Sequence, residues 1–144
     1  MNLSDLPESK IESALDSMGL INGVVVDGEI VDNFKVQIAH YDDTDVGLDE
    51  DERMLSIMVN GENNTSLSAQ HMDLNCTIYI GGLRNSADMI VIRMVAETFI
   101  SALRDSDYYD RCGVFEFIPS GVFGPVMSNE RPVYTLTTRV LLNR

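Results

Sequence analysis

The clearest pattern in the chain is a strict alternation between residues 72 and 80. Met72, Leu74, Cys76, Ile78 and Ile80 are apolar, while Asp73, Asn75, Thr77 and Tyr79 separate them. A period of two is the signature of a strand with one buried face, and Gly81-Gly82 ends it. A second alternation covers Phe34, Val36, Ile38 and His40. Shorter apolar runs at Val24–Val26, Met54–Val59 and Val114–Ile118 read as strands, and Val133–Leu142 reads as the last one. Asp27-Gly28 marks a turn after the first of these.

Two stretches have helical spacing instead. Leu6, Ile11, Ala14, Leu15 and Met18 recur at steps of three and four. Ser4 or Asp5 can cap this helix, Pro7 suits its first turn, and Gly19 stops it. From Ala87 to Leu103 there is neither glycine nor proline, and Asn85 with Asp88, or Ser86, offers N-terminal capping. The polar positions Arg93, Glu97, Ser101 and Arg104 form one narrow stripe on an otherwise apolar helix. Such a helix is covered on more than one side. The expectation is that Ile92, Val95, Ala96 and Phe99 pack on the 72–80 strand, and that another face meets the first helix or a neighbouring subunit. The predicted order is α-β-β-β-β-α-β-β. This is an α+β fold, one domain over 1–144, with two helices packed on a mostly antiparallel sheet. Residues 119–130, with two glycines and two prolines, read as a Gly/Pro hairpin loop.

Charge changes this picture. The chain carries a net −13. Residues 1–83 hold 16 acids against three bases, and residues 84–144 hold seven of each. An acidic chain is repelled by phosphate backbones and anionic membranes, so sequence-specific nucleic-acid binding and membrane binding are not expected. No apolar run reaches the roughly 18–20 residues of a spanning helix, and no signal peptide is expected. Seven acids crowd into residues 42–52 (DDTDVGLDEDE). No register of that run matches a helix-loop-helix calcium site: starting at Asp42 puts Val46 and Arg53 on ligand positions, and starting at Asp43 puts Leu48 where glycine is required. It reads as a solvated, flexible acidic loop.

Candidate chemistry is sparse. The chain has no GxSxG, HExxH, GxxxxGK[ST] or GxGxxG. Its two histidines, His40 and His71, could meet a carboxylate or Cys76 only through the fold. Cys76 and Cys112 are spaced neither as a zinc motif nor as a redox pair, and two free thiols in a reducing cytoplasm are expected. No catalytic residue, metal or cofactor is expected, and the chain does not read as an enzyme. Val122, Phe123, Val126 and Met127 form an apolar loop tip, which either marks a protein contact or folds back on its own sheet.

Residues 120–140 (SGVFGPVMSNERPVYTLTTRV) resemble the end of the tail terminator and tail-completion proteins of long-tailed bacteriophages, the lambda type among them. The shared features are the Gly-Pro turn, the polar tip beside Arg131-Pro132, and a last strand alternating threonine with aliphatic residues. The predicted element order is similar as well. The resemblance implies a structural protein of the virion tail, assembled in the bacterial cytoplasm. It would form a homo-oligomeric ring, a hexamer, that caps the tail tube and presents a surface to the head. Its partners would be itself, the tail tube protein and a head-completion or neck protein. Val122, Phe123, Val126, Met127 and Arg131 are then the interface candidates. DNA must pass such a ring without sticking, and an acidic lumen repels the duplex within a Debye length of about 8 Å. Asp42, Asp43, Asp45, Asp49, Glu50, Asp51 and Glu52 are therefore the candidates to face the channel. The alternatives are a neck or head-completion protein, and an acidic module that sequesters a basic partner.

Overall fold

The computed structural model describes residues 6–21, 23–32, 34–42, 52–63, 71–84, 88–105 and 112–143. Among them are two helices and seven strands. The helices are α1 (Pro7–Ser17) and α2 (Met89–Arg104). The strands are β1 (Val24–Val26), β2 (Glu29–Val31), β3 (Phe34–Ile38), β4 (Arg53–Glu62), β5 (His71–Gly81), β6 (Val114–Ser128) and β7 (Arg131–Asn143). The fold is α+β. β1 and β2 form a small hairpin, and the other five strands form one sheet in the order β3-β4-β5-β7-β6. All pairings are antiparallel except β3 with β4.

β2 adds a strand to the expected order. Asp27 and Gly28 both take positive φ, 51° and 80°, so the chain reverses in two residues and Val25 comes to lie opposite Ile30.

The sheet is two-faced. Leu55, Ile57, Leu74, Cys76, Ile78, Ile80, Leu136 and Val140 line one face and are buried with α1 and α2 against them. The alternate positions Asn75, Thr77, Tyr79, Thr135 and Thr137 lie on the other face. The two helices cover one side of the five strands, and on the other a smaller cluster of Met54 and Val133 is buried against Tyr41 and Tyr79.

Helix α2 buries the predicted residues Ile92, Val95, Ala96 and Phe99 completely. It lies mainly over β6 and β7, however, and only its margin reaches β5. The expected seat on the 72–80 strand is corrected by topology: β7 is inserted between β5 and the edge strand β6. Its expected cap differs too. Asp88 is the N-cap but makes no capping bond to the helix. Its carboxylate instead accepts from Arg53 Nε and Nη2, both at 3.0 Å, and from the Leu83 N–H at 2.9 Å. A bidentate guanidinium is a stronger partner than one more helix N–H. The other cap candidates, Asn85 and Ser86 here and Ser4 and Asp5 at α1, lie outside the described residues. α1 begins with Pro7 and closes at Met18 before Gly19, whose φ is 76°.

Candidate interaction surface

Residues 119–130 form no open loop. β6 runs through to Ser128, and only Asn129 and Glu130 turn the chain, with φ of 50° and 65°. Ser128 then pairs with Arg131 and β7 follows at once. Two central residues in the left-handed region are what a two-residue hairpin turn requires. The glycines and prolines suggested a loop because proline cannot donate to a ladder. On an edge strand it need not do so. β6 is an edge, and it accommodates its irregular residues in register shifts at Val114/Glu116, Pro119/Gly121 and Phe123/Val126. Gly124 sits in the last of these with φ 133°, and a Cβ there would lie 2.8 Å from the Val133 carbonyl oxygen. Glycine is therefore required for β6 to approach β7 at this point.

This strand carries the exposed apolar surface. Phe123, Val126 and Met127 are 63%, 65% and 50% exposed. Phe123 pairs with Thr135 and Val126 with Val133, so both belong to the sheet face without helices. Val122 pairs with Leu136, faces α2 and packs on the core. Of the five interface candidates, three are exposed and Val122 is half-buried.

The fifth, Arg131, is corrected outright. It is fully buried. Its Nη1 donates to the carbonyl of Glu52 at 2.6 Å and to that of Gly82 at 3.0 Å. It is an anchor, tying the turn end of the hairpin to the start of β4 and the end of β5. A lone arginine beside a proline gives no sign of this, because the Glu52 and Gly82 carbonyls are backbone atoms far away in sequence.

The same anchor reaches the acidic run. Glu52 is the last residue of that run, so its end is fixed at the turn end of the hairpin. Its start is fixed nearby. Gln37 and Asp42 bond reciprocally, Nε2 to the Asp42 carbonyl at 2.7 Å and the Asp42 N–H to Oε1 at 2.9 Å. Tyr41 meets Tyr79 edge-on at 4.8 Å between ring centroids and donates its hydroxyl to Ser128 Oγ at 3.0 Å. Asp42 is exposed and Glu52 half-buried. Asp43, Asp45, Asp49, Glu50 and Asp51 lie outside the described residues. The two regions singled out from the sequence, some 80 residues apart, thus meet at one end of the sheet.

The remaining candidates do not converge. β3 ends at Ile38, and His40 is exposed beyond it, its Nδ1 3.1 Å from the Ile38 carbonyl. His71 opens β5 and packs its ring on Phe115 at 4.5 Å. Cys76 is buried and Cys112 exposed, and both are free thiols. Burial, then the nearby Glu8 carboxylate, pushes the Cys76 thiol up to about 12, which keeps it protonated and unreactive at neutral pH. Asp73 is buried and paired with Arg139. Among the described residues no group of three or more His, Cys, Asp or Glu is placed to hold a metal ion, and no helix is long and apolar enough to cross a membrane.

One surface escaped the sequence reading. Val25, Ile30 and Ile90 are also strongly exposed. Val24–Val26 reads as a uniform apolar run, yet its middle residue points outward. Ile90 counts as one more apolar position of a helix that is apolar almost all round. No family model and no curated protein matches the chain.

Proposed function

We propose that this protein is a ring-forming structural component of a long-tailed phage tail, which caps the tail tube, stops its growth and offers the head-joining surface. The observation that carries this reading is the β6–β7 tip. It presents Phe123, Val126 and Met127 to solvent beside a turn end that a buried arginine locks. A preorganised apolar surface of this kind loses little entropy on docking. The tail-like sequence of residues 120–140 falls on the same hairpin. Asp42 and Glu52 stand near its turn end, so the acidic run leaves and rejoins the fold beside the tip. In a ring this arrangement sets carboxylates at the rim of the channel, next to the contact with the tube. Repulsion between that rim and DNA phosphates keeps the passing duplex free.

The test has two parts. Multi-angle light scattering of the purified protein should give the mass of a closed multimer. Added to polymerising tail tube subunits, the protein should stop growth and appear as a terminal ring by electron microscopy. A monomer at every concentration that leaves tube length unchanged and binds basic proteins would replace this reading with that of an acidic sequestering module. Replacing Asp42, Asp43, Asp49 and Glu52 with their amides should leave capping intact and slow DNA passage.

A further inference from the structure

The two edges of the large sheet differ. β6 is interrupted by Pro119, Pro125 and three register shifts, which spoil it as a template for another strand. β3 has no proline, and its five residues pair with β4 without a shift. Ala39 donates its N–H to the Ile57 carbonyl at 2.9 Å, so the backbone groups of Lys35, Gln37 and Ala39 turn toward β4. Those of Phe34 and Val36, with the Ile38 N–H, turn outward, and no described residue bonds to them. The side chains beside this edge set what fits there. Phe34, Val36 and Ile38 are in register with Arg53, Leu55 and Ile57 and share the helix face of the sheet. Val36 borders a groove of about 290 Å³ whose other walls are Glu12, Ser13 and Asp16 of α1 and Ile21. Glu12 is half-buried, and burial, then the Asp16 carboxylate one turn away, raises its carboxyl above the ordinary value. Among the described residues neither acid has an ion pair. The cations of the neighbouring elements lie elsewhere: the Lys10 stem is beside Gly113, Arg53 holds Asp88, and Lys35 belongs to the opposite face of the sheet.

We propose that β3 accepts an extended basic segment of another protein as a further strand of the sheet, with a lysine or arginine of that segment seated in the groove beside Glu12 and Asp16. In strand addition, main-chain bonds supply affinity and alternate side chains supply specificity. A residue set opposite Val36 on the added strand points to the same face as Val36, and so into the groove. A cation there relieves the repulsion between the two carboxylates, which an apolar or acidic residue does not. Charge also decides against a second copy at this edge. Two β3 strands paired with each other would bring Glu12 and Asp16 of both copies together. The contact uses neither the hairpin tip nor a multimer, so it stands apart from the ring reading.

The probe is a capped, fluorescein-labelled peptide, Thr-Val-Thr-Lys-Thr-Val-Thr. Its controls are the same sequence with glutamate for lysine, and the lysine sequence with its amide nitrogens methylated. By fluorescence anisotropy the lysine peptide should bind the full chain about tenfold tighter than the glutamate peptide, and the methylated peptide should not bind. Glu12→Gln combined with Asp16→Asn should remove the preference for lysine. Val36→Pro should abolish binding and still fold, because its N–H faces away from β4. Circular dichroism and thermal unfolding check both variants. Bound peptide should slow hydrogen exchange at the Val36 and Ile38 amides. Four results would overturn the proposal: equal binding of the lysine and methylated peptides, equal binding of the lysine and glutamate peptides, protection at the β6–β7 tip in place of β3, or no binding at about 1 mM peptide. If Val36→Pro does not fold, the methylated peptide and the exchange pattern decide. Light scattering separates this contact from the ring. A peptide that dissociates wild-type multimers would place a second copy on β3 and overturn the occupant named here. A protein that forms no multimer yet binds the lysine peptide at β3 overturns only the ring reading.

Discussion

β6 and β7 are joined by a two-residue turn and paired along almost their whole length, yet β7 is buried over most of its run and the outer half of β6 is exposed. Their sequences do not explain the contrast. Both alternate apolar and small or polar residues, and β6 holds the larger side chains at its tip. The difference is position in the sheet. α2 lies over both, but β7 has β5 on one side and β6 on the other, whereas β6 has a strand neighbour on one side only. Exposure of an apolar residue at an edge is thus a property of the surface the fold offers to partners, and burial one register position away is a property of the core.

This contrast can be broken most severely at matched positions. Leu136 on β7 is fully buried opposite Val122 on β6. Leu136→Ala should cost about 3 kcal/mol in chemical denaturation, within the range for fully buried leucines. Val122→Ala should cost less than about 1 kcal/mol, because its site is open enough to relax. Equal losses would mean that the edge is as rigid as the centre.

Arg131 gives the next largest effect. Arg131→Ala leaves the Glu52 and Gly82 carbonyls without their charged donor and should lower stability by about 2 kcal/mol. It should also raise amide hydrogen exchange near Glu52 and Gly82. If it instead blocked assembly at full stability, Arg131 would be an interface residue after all. Phe123→Asp should do the reverse, changing stability by no more than about 0.5 kcal/mol while abolishing multimers in light scattering.

The cysteines report the same division in the smallest signal. Cys112 precedes the edge strand and is exposed, so it should react with a thiol reagent at pH 8 in the folded protein. Cys76 lies opposite Thr138 of β7 and should react only on unfolding. The shift from 9.0 to about 12 also has a sign for stability. Above pH 9 the unfolded chain loses this proton while the folded chain keeps it, so the folded state binds more protons. Stability from this group is whole below pH 9 and falls as pH rises toward 12. Cys76→Ala should remove that component of the alkaline decline.

Much was legible without coordinates. Local alternation and helical spacing are short-range properties of the backbone, so α1, α2, β3, β4, β5 and β7 can be read directly, as can the α+β class. The buried face of α2 follows from its own residues. The exposed tip at Phe123, Val126 and Met127 follows from large apolar residues set among glycines and prolines. What only the tertiary structure decided is non-local. Residues 119–128 became a strand because an edge accepts prolines and bulges that a central strand rejects. Asp88 turned from the helix to Arg53, and Arg131 went inside, because their partners sit 35 or more residues away. Val25, Ile30 and Ile90 are open because two helices and one small hairpin do not cover every apolar side the chain provides. Periodicity states which residues can be buried together. Sheet order and layer geometry decide which of them are.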